Sequence, residues 1–383
     1  MQDDLDENQR MLAEAVERYL SRAYDFQARQ QSLAATQGHS PAHWAAFAEL
    51  GLLGLTVPED CGGMGLDATS THVVMEAFGR HLVTEAYAST AVLCVQLLAH
   101  GARGAQRSQL LADLATGACI LAFAQGEPQT DYTLHNVQTQ ATASADGWRL
   151  SGRKTMVLQG PVANQLLVSA RTSGPALSTD GISLFLVDPQ SAGVQRVDYT
   201  AIDGMPCADF AFDGVQLAPQ ALVGVQDAAY PTILHASDIA TAALCAQSVG
   251  AMAAIVDATL AYVKVRQQFR SPIGSFQAVQ HRLVDMSLAL EQARSLAWLA
   301  AQQVDAADAV ARQRIVSAAK AKCGESARFI AQQGIQLHGG IGMTDELPLG
   351  HHVKRLIAIE HTLGDARHHL ARYARLADPA HIA

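Results

Sequence analysis

Two short segments of this 383-residue chain combine residue types that could hold a nucleotide. In Arg266-Gln267-Gln268-Phe269-Arg270-Ser271-Pro272-Ile273-Gly274 a basic residue closes a helical run and a loop turns at Pro-Ile-Gly. Phe276-Gln277-Ala278-Val279-Gln280-His281 then opens a glutamine-bearing helix. A guanidinium such as that of Arg266 can clasp a pyrophosphate through paired, charge-assisted hydrogen bonds. In Gln336-Leu337-His338-Gly339-Gly340-Ile341-Gly342-Met343 the glycines would let a nucleotide approach the backbone closely. Either segment alone is also what an ordinary turn between helices looks like. Other chemistries find no seat, because the chain has no G-x-G-x-x-G, Walker A, H-E-x-x-H or G-x-S-x-G pattern. The pairs His351-His352 and His368-His369 would point about 100° apart on a helix. They read as solvated surface histidines rather than joint metal ligands.

Three stretches must position these segments. Residues 1–118 carry helical periodicity, as in Leu12, Val16, Tyr19 and Leu20 and again from Pro41 to Leu53, where Ser40 caps a helix begun by Pro41. The run Val57 to Gly65, with one proline and three glycines, is a loop. In residues 119–226 short apolar runs such as Gln165 to Ala170, Ile182 to Val187 and Phe210 to Phe212 alternate with turn signals. Those signals are Ala145-Asp146-Gly147, Ser173-Gly174-Pro175, Asp180-Gly181 and Asp213-Gly214, and the pattern predicts a compact β domain, a sandwich or barrel. Residues 227–383 are helical again. Leu283, Met286, Leu290, Ala293 and Ala297 form a bundle-type core stripe, and Ile239 to Val256 should be buried on most sides or at a subunit interface.

Composition narrows the function. Hydrophobic residues make up 49%, charged residues 16%, and the net charge is −9. An acidic chain lacks the footprint of a nucleic-acid binder and the polybasic signature of a protein lying on an anionic membrane. No signal segment and no membrane span is expected, and six dispersed cysteines read as buried free thiols of a reducing cytoplasm.

Several motifs occur in a telling order. They are Glu49-Leu50-Gly51-Leu52-Leu53-Gly54-Leu55-Thr56-Val57-Pro58-Glu59 with Gly62-Gly63-Met64-Gly65-Leu66, then Phe123 to Pro128, then Leu150-Ser151-Gly152-Arg153-Lys154, then the Arg266 and Gly339 segments. Together they resemble, over essentially the whole chain, the acyl-CoA dehydrogenase family. That resemblance implies an α+β fold with an N-terminal helical domain, a middle β domain and a C-terminal four-helix bundle. It implies FAD, an acyl-CoA substrate, a tetramer, and an electron-transfer flavoprotein as a partner to consider. It places Arg266, Gln268, Phe269, Gln336, Gly339 and Gly340 beside the FAD of a neighbouring subunit, and Gln277 at a further FAD contact.

The chain departs from that pattern where the chemistry is done. The family's glutamate base falls at Leu363, within Thr362-Leu363-Gly364-Asp365, and the alternative seat of the base falls at Ala240. Neither can take a proton. The nearby acids Asp365, Glu360 and Asp238 are offset by two or three residues, and Asp365 and Asp238 are the remaining candidate bases. The W-I-T segment that meets the flavin ring reads Met156-Val157-Leu158, the T-E-P loop reads Gly126-Glu127-Pro128-Gln129-Thr130-Asp131, and Arg270 stands where the family has glycine. The ending Lys354-Arg355-Leu356 through Leu363-Gly364-Asp365-Ala366-Arg367 resembles the small subunit of two-subunit pimeloyl-CoA dehydrogenase and the steroid-degrading α2β2 members. The expected activity is α,β-dehydrogenation of a bulky, steroid-derived or dicarboxylic acyl-CoA with a homologous partner subunit. The alternatives are a homotetramer, a silent subunit shaping a partner's site, and a flavin oxidase of the same fold.

Overall fold

The computed structural model describes residues 5–36 and 38–377. In chain order its helices are α1 (Glu7–Ala23), α2 (Phe26–Thr36), α3 (Pro41–Glu49), α4 (Ala68–His81), α5 (Val95–Gly101) and α6 (Gly104–Ala115), with a π-helical turn, Ala88–Cys94, leading into α5. Strands follow: β1 (Leu121–Ala124), β2 (Gln140–Ser144), β3 (Gly147–Leu158), β4 (Gln165–Arg171), β5 (Ile182–Val187), β6 (Val194–Thr200), β7 (Pro206–Leu217) and β8 (Leu222–Val223). The chain ends in α7 (Tyr230–Val265), a small hairpin of β9 (Gln267–Gln268) and β10 (Ser271–Pro272), α8 (Gln277–Gln303), α9 (Ala309–His338), α10 (Pro348–His361) and α11 (Ala366–Ala377). The helical, β, helical order is the expected one.

The chain divides into two compact units, neither of them contiguous: Met1–Gln31, Ala68–Val83 and Thr241–Ala383 form one, and Ser32–Asp67 and Thr84–Ala240 the other. In the first, α1 starts with a capping box, Asp6 Oδ1 accepting the Gln9 N–H at 2.8 Å and Gln9 Oε1 the Asp6 N–H at 3.1 Å. Gly79 of α4 faces the Gln247 carbonyl and Gly250 of α7 faces the Glu76 carbonyl, so closely that a Cβ at either glycine would collide with backbone. Met286, Leu290, Ala293 and Ala297 of α8 are buried, as the stripe requires, while Leu283 is half-buried. The apolar stretch of α7 is almost wholly buried, although this helix is long and apolar enough to cross a membrane.

The second unit is built on a sheet in the order β6-β7-β3-β2-β4-β5-β8, with β1 pairing parallel to β4. One of its faces packs Leu150, Val157, Phe185, Phe210 and Phe212 into a core. Ser40 caps α3 as expected, its Oγ accepting the His43 N–H at 3.3 Å. Asp213-Gly214 is not the chain reversal its composition suggested. It is a bulge inside β7, where Gly214 has φ of 61° and the pairing steps from Leu150↔Val215 to Gly152↔Phe212.

The paired histidines also differ from expectation. His352 and His369 are buried and only their neighbours His351 and His368 are half-exposed, because the helical rotation that separates adjacent rings turns one of each pair inward. Burial, reinforced for His352 by Arg29 and for His369 by Lys320, lowers both to about 3. Between the ordinary value of 6.5 and about 3 the unfolded chain therefore binds protons that the folded chain does not. Stability from these groups is fully present above pH 6.5 and lost as the pH falls through that window. At pH 5 each should contribute about 2 kcal/mol less than at neutrality. Urea titrations at pH 7 and pH 5 should show this fall, and His369→Gln should remove its share.

Candidate functional site

At one end of the helical bundle the structure gathers both nucleotide-type segments. Tyr262, near the end of α7, stacks on His338, the last residue of α9, with ring centroids 4.5 Å apart. This contact ties the end of α7, four residues before Arg266, to the end of α9, which Gly339 and Gly340 follow directly. The Arg266 carbonyl accepts the Ile273 N–H at 2.8 Å, which closes the hairpin. Its two-residue tip is Phe269-Arg270, with φ of 53° and 64°. Two left-handed residues in a row define a type I′ turn, for which glycine or asparagine is preferred. Phe269 is 89% exposed, and it meets Phe276 edge-on at 6.2 Å. Arg266, Gln268, Gln277 and Gln336 are exposed, and their side chains have no hydrogen-bond or ion-pair partner among the described residues. A Cβ at Gly339 or Gly340 would meet nothing within 4 Å.

The Thr362-Leu363-Gly364-Asp365 turn, between α10 and α11, is built around a buried cation. Lys320 of α9 is 1% exposed, and its Nζ donates to the carbonyls of Ile359 at 2.9 Å, Glu360 at 3.0 Å, Thr362 at 3.0 Å and Gly364 at 2.6 Å. The Leu363 carbonyl faces His369 Nε2 at 3.0 Å, and Leu363 itself has φ of 58°. Asp365 Oδ1 accepts the His368 N–H at 2.7 Å, as a cap of α11 does. Glu360 Oε1 accepts the Ala366 N–H at 3.2 Å and pairs with Arg328. Ala240 and Asp238 are both buried in α7, and Asp238 is engaged with other groups. Lys320 escaped notice in the sequence; its one signal is a lysine on the inward stripe of an alanine-rich helix, in Ala319-Lys320-Ala321.

In the β-containing unit, Lys154 of β3 is fully buried. Its Nζ donates to Glu127 Oε1 at 2.7 Å, Ser169 Oγ at 3.0 Å and the Gln125 carbonyl at 3.1 Å. Glu127 also accepts the N–H groups of Gln138 at 2.8 Å and Thr139 at 3.1 Å. This knot fastens the Gly126–Asp131 loop to the sheet. Thr130 Oγ1 is engaged between the Glu127 N–H and the Asn136 carbonyl, and Gln129 Nε2 donates to Glu127. Two residues later on β3, Met156 has φ of 55° and a 61% exposed side chain.

The family matches on this chain are to the acyl-CoA dehydrogenase N-terminal domain at residues 6–118, the middle domain at 122–215 and the C-terminal domain at 232–375. The chain belongs to the acyl-CoA dehydrogenase family. It is 30% identical over 315 residues to the mitochondrial isovaleryl-CoA dehydrogenase of Solanum tuberosum, covering 80% of this chain and 75% of that one. Among solved structures, the FAD complex of PigA superposes with a TM-score of 0.90 at 26% identity, covering 97% of this chain and 98% of that one. The ChsE4-ChsE5 complex from Mycobacterium tuberculosis superposes with a TM-score of 0.86 at 26% identity, covering 97% of each chain.

FAD is the cofactor of this family, and the residues of this chain fit it unevenly. The free guanidinium of Arg266, the free amides of Gln268 and Gln336, the exposed ring of Phe269 and the open glycines suit a dinucleotide's adenine and phosphates. At the β3 and Gly126–Asp131 positions where the resemblance expects the flavin ring, the one hydroxyl, that of Thr130, is already engaged, and Leu158 has none. Met156 is the exposed apolar side chain of its β3 segment.

Proposed function

We propose that this chain is a subunit of an FAD-dependent acyl-CoA dehydrogenase that acts on a bulky, steroid-derived or dicarboxylic acyl-CoA thioester. The reading pairs it with a homologous subunit in an α2β2 assembly. The observation that carries it is the Thr362–Asp365 turn: a buried lysine holds the backbone at the family's base position, and the residue held there is leucine. Ala240 leaves the second seat equally inert, Asp365 is used as a helix cap, and neither Asp365 nor Asp238 serves as base in this reading. A partner carboxylate then takes the α-proton. FAD, when bound, supplies the acceptor for the β-hydrogen. Arg266 clasps a phosphate of the dinucleotide, Phe269 covers its adenine, and Gln268, Gln277, Gln336, Gly339 and Gly340 complete that surface. The reading keeps domain divisions near residues 118 and 226, a cytoplasmic location, and an electron-transfer flavoprotein as electron acceptor.

Arg266→Ala should cost about 1.5–3 kcal/mol of FAD affinity, the worth of a hydrogen bond to a charged group. Retention of FAD through gel filtration, followed by visible absorbance, reads this directly, and unchanged retention contradicts the role. Isolation of the chain from its native source should bring a homologous subunit with it. Isolation of a colourless chain with no partner would speak against the whole reading. A silent structural role is the second reading, favoured by the engaged hydroxyl of Thr130.

A further inference from the structure

We propose that Tyr199 and Asp209 are positioning residues that hold a β-bulge so that Met156 faces a planar aromatic ring, the flavin in the reading above, on which this inference rests. Between Lys154↔Phe210 and Val157↔Ala208, β3 advances three residues while β7 advances two, so Thr155–Met156 carries one extra residue. Bulges re-aim side chains and gather beside functional sites. Met156 sits there in the left-handed region, where an unbranched side chain on a non-glycine residue is strained. The strain is held by dedicated partners. The Met156 N–H, which has lost its ladder carbonyl, donates to Asp209 Oδ1 at 3.0 Å and Tyr199 Oη at 3.2 Å. Tyr199 Oη in turn donates to Asp209 Oδ1 at 2.8 Å. Burial, then the Asp209 carboxylate, pushes the Tyr199 hydroxyl up, so it stays a donor throughout the ordinary pH range.

On the other side of the bulge the Thr155 N–H donates to the Gly126 carbonyl at 2.8 Å, one residue from the Lys154–Glu127 knot. The bulge is thus fixed from both flanks, and what it displays is a large, exposed, apolar thioether. A methionine so displayed suits the face or edge of an aromatic ring through a sulfur–aromatic contact. That partner matches a surface whose neighbouring hydroxyl is already engaged.

The test uses the full chain labelled with ¹³C-methyl methionine, the Met156 resonance being assigned with Met156→Leu, and FAD as titrant. FAD should shift the Met156 methyl by ring current. Tyr199→Phe and Asp209→Ala should each move that resonance in the free chain and weaken FAD binding roughly two- to tenfold, the span of one sulfur–aromatic contact. Asp209→Asn, which keeps the acceptor oxygen, should restore both. Binding of FAD with the Met156 resonance unmoved overturns the inference and leaves the flavin reading standing. So does an unchanged resonance in both disruptive variants. Absence of FAD binding by the unaltered chain assembled with its co-purified homologous subunit overturns both, since Met156 then has no ring to face.

Discussion

Leu363→Glu is expected to raise the acyl-CoA dehydrogenase turnover of the purified chain by about 10²–10⁴-fold, the usual contribution of a positioned general base. The unaltered chain, purified alone, should show little or none. The reason is local. Lys320 fixes four carbonyls around the turn, so a glutamate introduced at 363 inherits a backbone already set rather than a mobile loop. Leucine already occupies φ of 58° there, so the exchange adds no new backbone strain. The assay mixes each chain with candidate acyl-CoAs and an artificial acceptor, with and without the co-purified partner. Strong turnover by the unaltered chain alone, abolished by Asp365→Asn, would move the base to Asp365 and make this subunit a complete enzyme. Oxygen consumption in the same assay would mark an oxidase.

Lys154→Met should destabilise the fold by about 3–5 kcal/mol, because it leaves the Glu127 carboxylate buried without its cation. The two partners of this pair shift for different reasons. Burial dominates at Lys154 and lowers it to about 8, against the opposing pull of Glu127. Burial alone would raise Glu127, but the charge and hydrogen bond of Lys154, with help from Gln129 and the Gln138 N–H, hold it below the usual carboxylate range. The contribution of Glu127 is therefore present above that range and lost as the pH falls through its folded value. Denaturant midpoints at neutral pH measure the loss. Adding Glu127→Gln to Lys154→Met should recover part of it, since no uncompensated charge then remains. Equal midpoints for the single variant and the unaltered chain would show that the pair carries no stability.

The elements were legible in the sequence where periodicity is local. The change from helical to alternating pattern near Cys119, and back near Ala228, brackets the strands from Leu121 to Val223. The Arg266 and Gly339 segments announced themselves by composition, and the Tyr262–His338 stack explains why they belong together. What stayed hidden depends on residues far apart in the chain. Tyr199 and Asp209 lie 43 and 53 positions from Met156, and nothing near Met156 says that its N–H lacks a ladder partner. Asp213-Gly214 carried a turn signature that a bulge satisfies equally well. His352 and His369 looked like surface residues because charge-rich neighbours surround them in sequence, while helical rotation decided which ring turned inward.

The facing glycines of α4 and α7 also set a timetable for synthesis. Gly79 leaves the ribosome roughly 170 residues before Gly250, the partner surface it must fit against. At common translation rates of about 5–20 residues per second, that is an interval of roughly 10–30 s. Throughout it the inward face of α4, with Val73, Val74, Met75 and Phe78, has no native cover in its own unit from α7. The nascent chain is then a ready client for a holding chaperone, and the interlock that later makes the crossing rigid is what makes its beginning vulnerable.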